Sequence, residues 1–83
     1  MPSKKKVERV QTGVRIEKRI LKVLKALAAH YEMSLGDLIE GIVLHSFEGK
    51  VPFGDESLKF IEQMRTAYGL DLKAADSHNL TED

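Results

Sequence analysis

The sequence contains no cysteine among its 83 residues. This absence excludes disulfide bonds, thiolate metal sites and cysteine nucleophiles together. A chain of this length has room for one modest hydrophobic core and therefore for one domain. Because a domain this small often gains stability by oligomerising when it lacks disulfides, we expect an oligomer.

Long apolar runs are also missing. No stretch approaches the ~18 apolar residues that a membrane span needs. The basic cluster Lys4-Lys5-Lys6 is not followed by the apolar stretch of a secretory signal peptide. Hydrophobic residues make up 42% of the chain and charged residues 31%, which favours a globular chain over a disordered one. The sequence predicts a soluble cytoplasmic protein without a membrane partner.

The residue types that carry most enzyme chemistry are scarce or badly spaced. No two of the histidines His30, His45 and His78 stand at the i+3 or i+4 spacing of a helical metal site. Ser34 and Ser46 have no neighbouring base that would activate a nucleophile, and a glycine-rich phosphate loop is absent. We therefore expect no catalytic residues, no metal and no cofactor.

Charges of both signs are present in equal number but are unevenly distributed. Thirteen Lys/Arg and thirteen Asp/Glu give a formal net charge of zero. Residues 1–25, which we call the basic region, contain nine basic and two acidic side chains, whereas residues 51–83 contain three basic and seven acidic ones. A basic front of this kind indicates a polyanionic partner, although lysine-rich segments are often only solvated.

From Val7 to Ile16 the side chains alternate with a period of two residues. One parity carries Val10, Thr12, Val14 and Ile16, and the other carries Arg9, Gln11, Gly13 and Arg15. This alternation predicts a half-buried strand. No other segment has the same period, and a lone strand cannot satisfy its own backbone hydrogen-bonding groups. We therefore expect two chains to pair these strands antiparallel in a homodimer.

Apolar residues spaced three and four apart predict three helices after the strand. The first helix is expected to run from near Glu17, an acid favoured by the helix dipole, to about His30–Glu32. Capping residues set the expected ends of the other two helices: Ser34 to Gly49 for the second, and Asp55 or Ser57 to Gly69 for the third. The expected core residues of the first two helices are Leu24, Leu38 and Ile42. The third helix is expected to bury one face, with Phe60 beside it: Leu58, Ile61, Met64 and Tyr68.

This order of elements resembles the ribbon-helix-helix (Arc/MetJ-type) DNA-binding family. The resemblance rests on residues 10–16, 20–28 and 33–39, and it covers about residues 7–49. It implies a mostly α fold in which a two-stranded ribbon of a homodimer enters the DNA major groove. The chain then divides into a flexible basic arm at 1–6, the ribbon-helix-helix domain at 7–49, a C-terminal helical extension at 50–78 and a disordered tail at 79–83.

The resemblance also implies which residues contact double-stranded DNA. The outward ribbon positions, expected to contact bases, are Gln11, Gly13 and Arg15; arginine and glutamine match guanine and adenine edges. The family anchors a phosphate at the start of its second helix, here Ser34, Leu35 and Gly36, where unpaired N–H groups and the helix dipole attract an anion. Phosphate contacts beside the ribbon are expected from Lys4, Lys5, Lys6 and Arg9.

A second interpretation keeps the ribbon-helix-helix fold but does not include DNA binding. Gly13 provides no side chain, Asp37 adds a negative charge near the expected phosphate, and the net charge is zero. These features are compatible with a dimerisation or protein-interaction module, including a toxin-binding antitoxin. Residues 51–78 either enlarge the core or dock a protein partner. We interpret Lys18, Arg19, Lys22 and Lys25 mainly as a solvated helix face.

Overall fold

The computed structural model describes residues 4–82; residues 1–3 of the expected arm and residue 83 of the expected tail lie outside the described residues. Within residues 4–82 the chain forms three α-helices and one 3₁₀ turn and contains no strand. The elements are α1 (Lys18–His30), α2 (Leu35–Phe47), α3 (Asp55–Tyr68) and the 3₁₀ turn (Ala74–Asp76).

The strand predicted between Val7 and Ile16 is wrong, and the ribbon-helix-helix fold class falls with it. Residues 4–17 form neither helix nor strand, and nothing in residues 4–82 pairs with their backbone as a second strand would. Val10 and Val14, expected on a buried face, are 78% and 75% exposed. Alternating β-branched residues indicate a side-chain preference that depends on context. That preference does not form a strand where a neighbouring strand is lacking.

α1 begins after Glu17, which acts as its N-cap. The Glu17 carboxylate accepts hydrogen bonds of 3.0 Å from the N–H groups of Arg19 and Ile20. Burial raises the pKa of Glu17, but these hydrogen bonds and the Arg19 guanidinium outweigh that effect and lower the pKa below its ordinary value. The cap satisfies N–H groups that have no partner within the helix, so the predicted start of α1 is confirmed.

α2 also has the predicted ends. The Ser34 hydroxyl accepts a hydrogen bond of 3.1 Å from the N–H of Asp37. After Phe47 the chain turns at Gly49, whose φ is +70°. The N–H of Lys50 then donates to the carbonyl of His45 at 2.8 Å. Glycine suits this left-handed position because it has no Cβ.

α3 ends as predicted but begins differently. Gly54 is its N-cap and makes no side-chain capping bond, while Asp55 is already helical, so the predicted caps at Asp55 or Ser57 are wrong. Gly69 ends the helix at a φ of +65°, and the N–H of Leu70 donates to the carbonyl of Arg65 at 2.8 Å. Leu70 is buried, which is the apolar contact that commonly follows such an end.

The core is built around α1, which packs against both α2 and α3. Its centre is Leu27, only 1% exposed, with Ala28 and Leu38 beside it. Other apolar side chains surround this centre: Leu24, Ile42, Phe53, Phe60 and Ile61. The predicted core positions of the first two helices are therefore confirmed.

The predicted apolar face of α3 is buried only in part. Leu58 and Tyr68 are exposed, whereas Phe60 packs on the core and stacks on the ring of His30 at a centroid distance of 4.1 Å. The packing of Phe60 agrees with the prediction that it lies beside this face. Ile61 also packs against the core as predicted, whereas the predicted burial of Leu58 and Tyr68 is wrong.

Candidate nucleic-acid interface

The N-terminal segment, residues 4–17, passes beside the first two turns of α2. The two enclose a groove of about 990 Å³, which we call the N-terminal groove. It brings together six of the predicted contact residues: Arg9, Gln11, Gly13, Ser34, Leu35 and Gly36. Arg15 and the three lysines Lys4 to Lys6 do not line it.

Arg9 joins the N-terminal segment to α2. Its Nε and Nη2 donate to the two carboxylate oxygens of Glu40 at 2.9 and 2.8 Å, and Asp37 lies 3.8 Å from Nη2. Hydrogen bonding from the Arg9 guanidinium lowers the pKa of Glu40 below its ordinary value. The predicted phosphate contact of Arg9 thus competes with a carboxylate of the same chain.

The start of α2 is less favourable to an anion than its sequence suggests. The N–H groups of Leu35 and Gly36 lack acceptors within the helix, as in any first turn. The adjacent charges, however, are two carboxylates, Asp37 and Glu40, against the single guanidinium of Arg9. A phosphate here would meet a local excess of negative charge, which opposes the attraction of the helix dipole.

Arg15 lies away from the groove and is paired with the far end of the described chain. Its Nε and Nη2 donate to the carboxylate of Glu82 at 3.1 and 2.6 Å. The two side chains are 84% and 71% exposed. The strongest predicted base reader is therefore accessible to solvent, with its hydrogen-bonding edge occupied by an acidic side chain.

Nothing within the described chain requires a glycine at position 13. Its φ lies outside the left-handed region, and a Cβ built there would meet no atom within 4 Å. No close packing inside residues 4–82 therefore explains why this position lacks a side chain. Glycine would still permit the backbone to approach a molecule outside the chain closely.

Arg19 connects α1 to the residues that follow α3. Its Nη1 donates to the carbonyl of Gly69 at 2.9 Å and to the carboxylate of Asp71 at 3.0 Å. Its Nε donates to Glu17 at 3.1 Å. The three arginines of the basic region, Arg9, Arg15 and Arg19, are thus all bound to carboxylates.

The lysines of the same region behave differently. All six are exposed and form no ion pair with any residue of 4–82: Lys4, Lys5, Lys6, Lys18, Lys22 and Lys25. The last three stand at i, i+4 and i+7 along α1 and form one stripe on its surface, which we call the lysine stripe. Lys22 lies with its Nζ 5.7 Å from the centre of the Tyr68 ring.

Exposed apolar side chains mark a second surface. Leu44, Phe47 and Val51, at and just beyond the end of α2, are among the most exposed large hydrophobic residues. We call them the outer apolar patch. Large apolar side chains left exposed close together in sequence are candidates for an interaction site.

The acidic partners of the arginines were not identified from the sequence. Glu40 lies 31 residues from Arg9, and Glu82 lies 67 residues from Arg15. Such pairs have no local spacing that would reveal them. The excess of acids after residue 50 indicates the region that contains Glu82 without identifying the residue, and it gives no indication of Glu40.

Comparisons with protein-family models, curated proteins and solved structures find no match to this chain. Among the helices formed within residues 4–82, none has the length and apolar character needed to cross a membrane.

Proposed function

We propose that this protein is a cytoplasmic homodimer that binds double-stranded DNA and regulates transcription. The observation that carries the proposal is the set of six exposed lysines, Lys4 to Lys6 and the lysine stripe, none paired with a carboxylate of residues 4–82. They belong to the basic region, which has nine basic and two acidic side chains. Unpaired lysines on a basic surface are suited to contacting phosphates.

Base contacts would come from the N-terminal segment. Gln11 and Arg15 are both exposed, and their side chains have the donor and acceptor pattern that reads adenine and guanine. Gly13 between them would let the backbone approach the DNA closely. The proposal places phosphate contacts on the lysines and leaves out the start of α2, where Asp37 and Glu40 lie.

A homodimer is supported by the apolar surface that one chain leaves exposed. Phe47 and Val51 of the outer apolar patch are 81% and 77% exposed, and Val10 and Val14 are similarly open. Burying such side chains against a second copy would be favourable. The dimer would present two basic regions and double the number of phosphate contacts.

A charge-matched pair of triple variants tests the proposal. The first is Lys4→Gln, Lys5→Gln and Lys6→Gln; the control is Lys50→Gln, Lys59→Gln and Lys73→Gln, which removes equal charge from exposed positions elsewhere. Affinity for a pool of random duplexes is measured over a range of salt. The first triple should lose about tenfold or more at low salt and have a shallower salt dependence, by up to ~0.9 per lost phosphate contact.

Two results would contradict the proposal. One is the absence of DNA binding by the unmodified protein at low salt. The other is an equal loss of affinity in both triple variants, which would indicate a response to net charge alone. Transcriptional regulation further requires that some sequences become enriched from the random pool, and that Arg15→Ala reduces their preference.

A dimerisation or protein-interaction module without DNA binding is the second candidate. The specific observation in its favour is that Arg9 and Arg15 already bind Glu40 and Glu82, while the outer apolar patch is open. The toxin-binding antitoxin named above belongs to this class, with residues 51–78 as its docking region. Concentration-dependent self-association without DNA binding would favour it.

A further inference from the structure

The C-terminal segment, residues 70–82, lies against the basic start of the chain. It contains Asp71, Asp76 and Glu82 and a single base, Lys73. Two of its acids bind arginines of the basic region: Asp71 binds Arg19 at 3.0 Å and Glu82 binds Arg15 at 2.6 Å. An acidic segment therefore covers part of the surface to which the proposed function assigns DNA.

Packing and backbone hydrogen bonds hold this segment in place. Leu70 is buried, and the carbonyl of Leu72 accepts a hydrogen bond of 3.0 Å from Arg65. The Asp76 carboxylate accepts from the N–H of Lys73 at 2.7 Å and supports the 3₁₀ turn. Leu80 then lines the same cavity as Ile20 of α1. These contacts carry the chain from the end of α3 back to the start of α1 and direct it toward Arg15.

We propose that the C-terminal segment is an autoinhibitory element that competes with DNA for Arg15. The inference rests on the proposed function. Glu82 engages Nε and Nη2 of Arg15, and an arginine uses the same planar edge to contact guanine or a phosphate in a bidentate manner. The two contacts are mutually exclusive, so DNA binds through Arg15 only after Glu82 has left.

The exposure of the pair decides how strong this competition is. Both side chains are largely in water, and exposed ion pairs are weak and are screened by salt. The C-terminal segment therefore lowers the affinity without abolishing binding. Its effect should be largest at low salt, where the ion pair is least screened.

Two variants release Arg15 in different ways. Glu82→Gln removes the charge, whereas Leu80→Ser replaces an apolar side chain that lines the same cavity as Ile20 and leaves every charge unchanged. Glu56→Gln is the charge-matched control, because Glu56 is exposed on α3 and forms no ion pair with any residue of 4–82. Each full-length variant is titrated with a mixed-sequence duplex at about 50 mM salt, and thermal unfolding confirms that it is folded.

Glu82→Gln and Leu80→Ser should each bind about two- to fivefold more tightly than the unmodified protein, the range that an exposed ion pair spans. Glu56→Gln should show a smaller change. Arg15→Ala should cost more affinity in the Glu82→Gln background than in the unmodified protein, because only there is the guanidinium free. The NMR signal of the Arg15 Nε–H should shift in both releasing variants without DNA.

The outcomes separate this inference from the proposed function. If the unmodified protein binds DNA and neither releasing variant binds more tightly than it does, autoinhibition is wrong and the proposed function stands. Equal tightening in Glu82→Gln and Glu56→Gln, with none in Leu80→Ser, likewise overturns it, because net charge then explains the gain. If no variant binds DNA, the proposed function fails and autoinhibition fails with it.

Discussion

At the scale of the residue, arginine and lysine divide the basic region between them. Arg9, Arg15 and Arg19 bind carboxylates of the same chain, whereas no lysine of this region pairs with an acid of residues 4–82. Arginine has a rigid planar fork of donors that matches a carboxylate, and lysine is a hydrated point charge. The arginines therefore position the chain, and the lysines remain available to an outside anion.

The Arg9–Glu40 pair should make the attachment of the N-terminal segment depend on pH. Hydrogen bonding from Arg9 lowers the pKa of Glu40 below its ordinary value of 4.5. A lowered pKa means that the pair contributes above that value and that its contribution is lost as the pH falls through the lowered pKa. Backbone amide shifts of residues 9–11, followed by NMR during acidification, should report the release.

Glu40→Gln is the control for this titration. It removes the ionisable partner and retains a side chain of similar size. The amide shifts of residues 9–11 should then resemble the acid form throughout and should not follow the Glu40 titration. A transition of unchanged size in Glu40→Gln would assign the pH dependence to another group.

Two glycines should respond to alanine in opposite directions. Gly69 has a φ of +65°, so Gly69→Ala should destabilise the fold by about 1–2 kcal/mol. Gly41 lies inside α2, and a Cβ there meets no atom within 4 Å, so Gly41→Ala should stabilise the helix by about 1 kcal/mol. Chemical denaturation of both variants measures the difference. A loss of stability in Gly41→Ala would show that something outside the chain packs closely on this position.

At the scale of the element, the helices could be predicted from the sequence, whereas the predicted strand does not form. The information that ends a helix lies within a few residues, as Ser34 and Gly49 show for α2, so the sequence displays it. A strand needs a partner far away in sequence or in another chain, and the pattern from Val7 to Ile16 contains no record of one.

The same distinction applies to the candidate site: its local features could be predicted from the sequence, and its long-range contacts could not. The excess of positive charge in the basic region was visible in the composition, since it is a local property. The binding of Arg15 to Glu82 depends on how the C-terminal segment returns to α1, and this path is set by packing at Leu70 and by the carbonyl of Leu72. Tertiary contacts of this kind leave no spacing in the sequence.

The packing of α1 gives a prediction for the element as a whole. Leu27 is 1% exposed at the centre of the core, so Leu27→Ala should cost about 2–5 kcal/mol of unfolding free energy. Lys25→Ala, on the exposed face of the same helix, should change stability by about 0.5 kcal/mol or less. Thermal or chemical unfolding compares the two. Similar losses in both variants would mean that the buried face of α1 is assigned wrongly.

At the scale of the whole molecule, the small core and the large exposed apolar surface both favour association between chains. Among residues 4–82, five apolar residues are buried: Val23, Leu27, Ala28, Leu38 and Leu70. Many more remain exposed, including the outer apolar patch. A domain of this size buries only about 60% of the surface of its unfolded chain, and further burial is available through association. We therefore expect stability to rise with protein concentration, because binding between folded chains favours the folded state.

Two matched substitutions, each of which introduces a carboxylate, test which surface the chains associate through. Phe47→Glu places a carboxylate in the outer apolar patch, and Leu58→Glu places one at an exposed apolar position on α3. Burying an unpaired charge is costly, so Phe47→Glu should shift sedimentation toward the monomer and remove the concentration dependence of unfolding, whereas Leu58→Glu should leave both unchanged. If Leu58→Glu dissociates the dimer and Phe47→Glu does not, the chains associate through α3, and the outer apolar patch is free for a different partner.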